Sequence, residues 1–163
     1  MEWGTLGAAA VGAFFGIGAT LISDVVRFRR EREQRWADTK RVAYARFLTA
    51  LAQAHSRMTL AAASGVTGPA RQQAVHDAFL SDPQHSDAKS VLRELGLAAP
   101  DDIYQAAVPL YQQLRIVRDL LAEDGTSFES PEYQQVSHPF FADMDRLQRL
   151  MRNDLQPPTR RRA

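Results

Sequence analysis

The densest cluster of side chains able to do chemistry is "HDAFLSDPQHSD", which holds His76, Asp77, Asp82, His85 and Asp87. Imidazoles and carboxylates together could make a mixed nitrogen and oxygen metal site. The spacing argues otherwise: the cluster straddles a helix end and a proline turn and matches no ligand register such as H-E-x-x-H. It reads as a solvated turn with aspartates serving as caps. His55 lies on an apolar helix face and reads as a histidine at the edge of a core. Asp101 and Asp102 open a helix, where carboxylates favour the positive end of the dipole. No G-x-S-x-G elbow or glycine-rich phosphate loop occurs, and without cysteine there is no thiolate ligand or nucleophile. These readings predict no enzymatic activity and no cofactor.

The 20 basic and 19 acidic residues nearly cancel, so no global field attracts nucleic acid, which is not an expected partner. Every basic residue except Lys40 and Lys89 is arginine. Arg160, Arg161 and Arg162 follow two prolines and read as a solubilising tail.

The most informative stretch is the first. Trp3 to Ser23 carries no charge, and Arg27, Arg29, Arg30, Arg32 and Arg35 follow at once. About 20 apolar residues at 1.5 Å each cross roughly 30 Å of hydrocarbon, and Trp3 suits the interface. A cleaved signal peptide would carry its positive charge before the apolar run rather than after it. The reading is a transmembrane helix whose basic flank stays in the cytoplasm, N-terminus outside. The arginines are placed to meet anionic headgroups of the bilayer. Gly4, Ala8, Gly12, Gly16 and Thr20 recur every four residues and enclose a GxxxG motif. Such a face lets a second span approach closely, from another copy or another membrane protein.

From Ala19 to Ser64 there is neither Gly nor Pro, which predicts one helix continuing to about Ala63. On it Tyr44, Leu48, Leu51, His55 and Met58 keep the 4-3-4-3 spacing of a buried face. Short helices are predicted near 70–80 and 86–95, the latter stopped by Gly96. A longer helix follows Asp101, with Ile103, Ala107, Leu110, Leu114, Val117 and Leu121 as its apolar stripe and Pro109 expected to kink it. Ser130 and Pro131 have the form of a helix start, yet the last helix is predicted near 139–155. It would bury Phe140, Met144, Leu147 and Met151. The fold class is therefore all-α: an N-terminal transmembrane helix running into a cytoplasmic antiparallel helical bundle. The expected organisation is an anchor over 1–26, an extending helix over 27–63, the remaining bundle helices over 64–155 and a basic tail over 156–163.

Taken together, the small apolar run, the arginine-rich exit, "RWADTKRVAYARFLTAL", "APDDIYQAAVPLYQQL" and "FFADMDRLQRLMRNDL" resemble one group of proteins. These are the small single-pass membrane proteins with a cytoplasmic helical domain found in high-GC Gram-positive bacteria. The resemblance is one of architecture over most of the chain and brings no functional residue with it. A second likeness, to the peripheral-stalk b subunit of rotary ATP synthases, rests on the outward N-terminus and long helix. The loops at 64–69, 81–83 and 125–131 depart from the unbroken helix that a stalk needs. The functional expectation is a membrane-tethered cytoplasmic interaction or scaffold protein with an unidentified cytoplasmic partner. The alternative is a membrane-bound regulator or sensor signalling through helix pairing.

Replacing Gly12 and Gly16 by Ile should abolish association of the isolated span in a membrane dimerisation reporter, because branched bulk then separates the backbones. Equal signals from the parent and the double variant would dismiss the ladder.

Overall fold

The computed structural model of the protein describes residues 3–80 and 87–156, with the side chains of residues 3–31 and 33 outside the described set. Among the described residues there are α1 (Trp3–Ala62), α2 (Gly68–Leu80), α3 (Ala88–Ala98), α4 (Asp101–Ala122) and α5 (Pro131–Asp154), and no strand. The chain divides into two compact units, Met1–Asp38 and Thr39–Ala163. The first consists of the opening part of α1. Among the described residues no helix is long and apolar enough to cross a membrane. The side chains expected to form the span, including Gly4, Ala8, Gly12, Gly16 and Thr20, lie outside the described residues, as do those of Arg27, Arg29 and Arg30.

The second unit is a helical bundle whose directions follow from its cross-links. Lys40 of α1 meets Asp154 of α5, and further along α1 His55 meets Tyr133, so the two helices run antiparallel. Arg71 of α2 reaches the carbonyl of Ala62, Arg57 reaches that of Ala78, and Arg46 pairs with Glu94 of α3. Thus α2 and α3 succeed one another along α1 in the opposite direction. Arg71 also reaches the carbonyl of Leu121, while the Phe79 and Tyr111 rings lie 6.2 Å apart, which sets α4 antiparallel to α2. Gln113 of α4 bonds Asp143 of α5. The result is an up-down-up-down arrangement in which α2 and α3 together take the second place.

The core follows the apolar spacing. Ile103, Ala107, Leu110, Leu114, Val117 and Leu121 are all buried, and from α1 so are Tyr44, Phe47, Leu51, Ala54 and Met58. Leu48 and His55, at the flank of that stripe, are half-buried. Phe140, Leu147 and Met151 of α5 are buried, with Met144 packed against the core from its edge.

Two boundaries differ from the spacing argument. Gly96 does not stop α3, which continues to Ala98. A Cβ at Gly96 would lie 3.0 Å from the Tyr104 ring, so this glycine serves close approach of α3 to α4. The last helix begins at Pro131 rather than near Pro139, which stands inside it. Pro139 and Gln135, whose carbonyl would receive the missing N–H, are both exposed, so the helix runs through Pro139 at the surface of the bundle. Pro109 is accommodated within α4 in the same way, with Gln105 exposed. Ser130 takes the position before the helix with extended backbone, but its hydroxyl donates to Ser127 instead of capping.

Arg71 is 7% exposed and sits where two helices end. Its Nε donates to Leu121 O at 2.9 Å, its Nη1 to Ala62 O at 2.9 Å, and its Nη2 to Thr126 O. The first two acceptors lie in the last turns of α4 and α1, whose carbonyls have no intrahelical donor and carry the negative end of the dipole. Close by, the Gly68 N–H donates to both carboxylate oxygens of Asp124, at 2.9 and 3.0 Å. Gly68 does this at a φ of +61°, a conformation open to glycine.

Arg71→Met should therefore lower unfolding stability by about 3 kcal/mol or more, because buried carbonyls lose their donors. Arg71→Lys should recover a minor part of it, since one ammonium cannot span three diverging carbonyls. Denaturant melts of the full chain measure both; a loss below about 1 kcal/mol for Arg71→Met would contradict this role.

Candidate functional site

Polar chemistry gathers at three places in the bundle unit. The first is the end at which Thr39 stands. Lys40 Nζ donates to both Asp154 oxygens, at 3.1 and 2.9 Å, and the Tyr44 hydroxyl donates to Oδ2 at 2.7 Å. The side chains of Lys40 and Asp154 are 16% and 20% exposed. Burial acts to raise the Asp154 carboxyl, but the hydrogen bonds from Tyr44 and Lys40, with the Lys40 charge, outweigh it and hold the group below the ordinary carboxylate range. Burial, then the hydrogen bond to Asp154, its charge and that of Asp102 push the Tyr44 hydroxyl far above its usual range. Tyr44 thus stays protonated and acts as a donor. The triad holds the last turn of α5 against α1.

The second is the seam between α1 and α5. His55 Nε2 and the Tyr133 hydroxyl are 2.7 Å apart. The His55 ring stacks on Phe140 at 5.7 Å and 13°, and meets Phe141 edge-on at 4.9 Å. Burial lowers the imidazole from its ordinary value, so it is neutral at pH 7 and one member of the pair donates to the other. The third comprises two surface clefts. One, of about 490 Å³ between α2 and α4, is lined in part by Gln72, Gln73, His76, Arg118 and Asp119. Arg118 lies over the Phe79 ring at 5.0 Å and pairs with Asp119 at 2.6 Å, while Gln73 donates to Asp77. Charges in this cleft are balanced locally, and no ligand class is favoured. The other, of about 260 Å³ between α4 and α5, has an apolar floor including Leu110, Leu147 and Leu150 beneath Asp143 and Arg146. Gln113 donates to Asp143 there, and its own Oε1 is buried without a partner.

The residues singled out by spacing fall as follows. Asp87 takes the position before α3 and accepts from the Ser90 N–H at 2.9 Å, a capping role. Asp77 is bonded by Gln73, and His76 lines the α2–α4 cleft. Asp82 and His85 lie outside the described residues. Among the described residues no group of three or more His, Cys, Asp or Glu is placed to hold a metal. Asp101 and Asp102 occupy the first turn of α4. Arg32 and Arg35 are exposed on α1. Sequence reasoning missed Arg71 and the Lys40–Tyr44–Asp154 triad. Arg71 shares four-residue spacing with Val75 and Phe79, both buried, so its burial had a signal. The triad joins residues 110 or more positions apart and had none.

Comparison of the chain with protein-family models, with curated proteins and with solved structures returns no match. The fold and the polar sites alone define the class: an all-α bundle of antiparallel helices.

Both lowered groups make the fold acid-sensitive, with the same sign. A depressed folded value means the unfolded chain binds more protons, so stability is complete above the unfolded value and falls as pH drops below it. For His55 the loss begins below about 6.5, and for Asp154 below about 3.9. Thermal melts should show the midpoint falling between pH 7 and 5, and His55→Gln should flatten that slope while keeping a partner for Tyr133. Asp154→Asn should cost about 2 kcal/mol at pH 7. An unchanged slope in His55→Gln would remove His55 from this account.

Proposed function

We propose that this is a membrane-tethered interaction protein, without enzymatic activity, whose cytoplasmic helical bundle docks or assembles with other proteins. The observation that carries the reading is the order of residues along α1. An uncharged run over Trp3–Ser23 is followed by the arginines at 27–35, and the same helix supplies Tyr44, Phe47, Leu51, Ala54 and Met58 to the bundle core. An apolar run with a basic flank is the pattern of a span whose basic side stays in the cytoplasm. A bundle helix that begins in such an anchor keeps the domain at the bilayer surface. The polar groups of the bundle tie helices to one another, which suits a rigid docking body.

A reporter active only in the cytoplasm should work when fused after Ala163, one active only outside should not, and the chain should resist alkaline extraction of the membranes. Release of the whole chain by alkali, or activity of the external reporter, would refute the reading.

A further inference from the structure

Helix α5 is held to the rest of the bundle in two parts, with Pro139 between them. The part beyond Pro139 buries Phe140, Leu147 and Met151, bonds Gln113 through Asp143, and ends in the Lys40–Tyr44–Asp154 triad. The opening two turns, residues 131–138, bury Tyr133 and Ser137. Their hydrogen bond to α1 is the contact between the Tyr133 hydroxyl and His55 Nε2. Pro139 has no N–H to offer the Gln135 carbonyl, so the backbone ladder is interrupted where the two parts meet. At the start of α5 the Ser130 hydroxyl donates to Ser127 O and leaves the first turn without a side-chain cap.

The surroundings of His55 favour a neutral ring. Phe140 stacks on it, Phe141 meets it edge-on, and the Tyr133 hydroxyl stands at 2.7 Å. Tyr133 is the titratable group of α5 in contact with it, while Glu132 and His138 on that helix are exposed. One turn away on α1 stand Leu51, Ala52, Met58 and Thr59, none of them charged. An imidazolium has two N–H donors, of which the Tyr133 hydroxyl can accept one. The Phe140 face attracts a cation, but burial outweighs that attraction and lowers the affinity of the ring for a proton.

We propose that the α1–α5 seam is a pH-operated joint: when His55 takes up a proton, residues 131–138 leave α1 while α5 beyond Pro139 stays docked. Release lifts Tyr133 off the imidazole, lets water reach the cation and uncovers Ser137. The released ring has the ordinary proton affinity and the docked ring a lower one. Release is therefore favoured as pH falls below about 6.5, by at most about tenfold per pH unit. Asp154, held below the ordinary carboxylate range, keeps its charge throughout this window and anchors the far end of α5.

Because the chain contains no cysteine, single thiols in the full chain report the joint. Ser137→Cys, at a position 3% exposed, reads the opening turns of α5, and Ala107→Cys, at a buried position of α4, reads the rest of the bundle. Labelling rates are divided by that of Ala142→Cys, at an exposed position of α5, which removes the pH dependence of the thiol itself. Between pH 7 and pH 5 the relative rate at Ser137→Cys should rise at least about fivefold, within the limit set by one proton. At pH 5 it should exceed that at Ala107→Cys at least about tenfold, as a local opening requires. Adding His55→Gln should remove the rise. Pro139→Ala, which restores the backbone bond to Gln135 and favours the helix, should at least about halve it. A level rate at Ser137→Cys, equal rates at Ser137→Cys and Ala107→Cys, or a rise that survives His55→Gln or is undiminished by Pro139→Ala would overturn the proposal.

Discussion

The buried guanidinium of Arg71 is the constraint from which the bundle's geometry follows. A charge at 7% exposure is costly unless its donors are matched, and here they are matched by carbonyls rather than by a carboxylate. Those carbonyls belong to the ends of α1 and α4 and to the loop after α4. One side chain therefore fixes where two helices stop and how far apart their ends lie. Asp124 completes the arrangement by holding the Gly68 N–H, the start of the helix that carries Arg71. The negative ends of two helix dipoles thus face a cation, and the positive end of a third faces an anion.

At the opposite end the bundle is closed by a different device. Lys40, Tyr44 and Asp154 tie the last turn of α5 to α1 with charge-assisted bonds. Asp154 lies at a helix C-terminus, where a carboxylate is disfavoured, and the ion pair offsets that. Between the two ends the α1–α5 seam is aromatic, with His55 set among Tyr133, Phe140 and Phe141. The seam is tightest when the imidazole is neutral. Acid acts on this side of the bundle at both His55 and Asp154.

The long-range polar interactions of the bundle, at Arg71, His55, Asp154 and Asp143, join one helix to another or to a neighbouring loop.

The apolar repeat of α4 fixed its buried residues one by one, because a regular helix converts 4-3 spacing directly into a face. The α1 stripe was equally legible, down to the half-buried edge position of His55. The boundaries that failed did so at Gly and Pro. Gly96 and Pro139 are helix breakers in isolation, yet the Tyr104 ring lies where a side chain on the one would stand, and the other sits at an exposed position of α5. Local sequence carries the propensity but not the neighbour that overrides it. The polar sites were less legible still. The Lys40–Tyr44–Asp154 triad and the three carbonyls around Arg71 are joined only by packing. Composition and spacing determined an all-α chain, its core faces and the uncharged run with its arginine flank. The tertiary structure alone decided which charges are buried and what satisfies them, because those depend on groups brought together from distant positions in the chain.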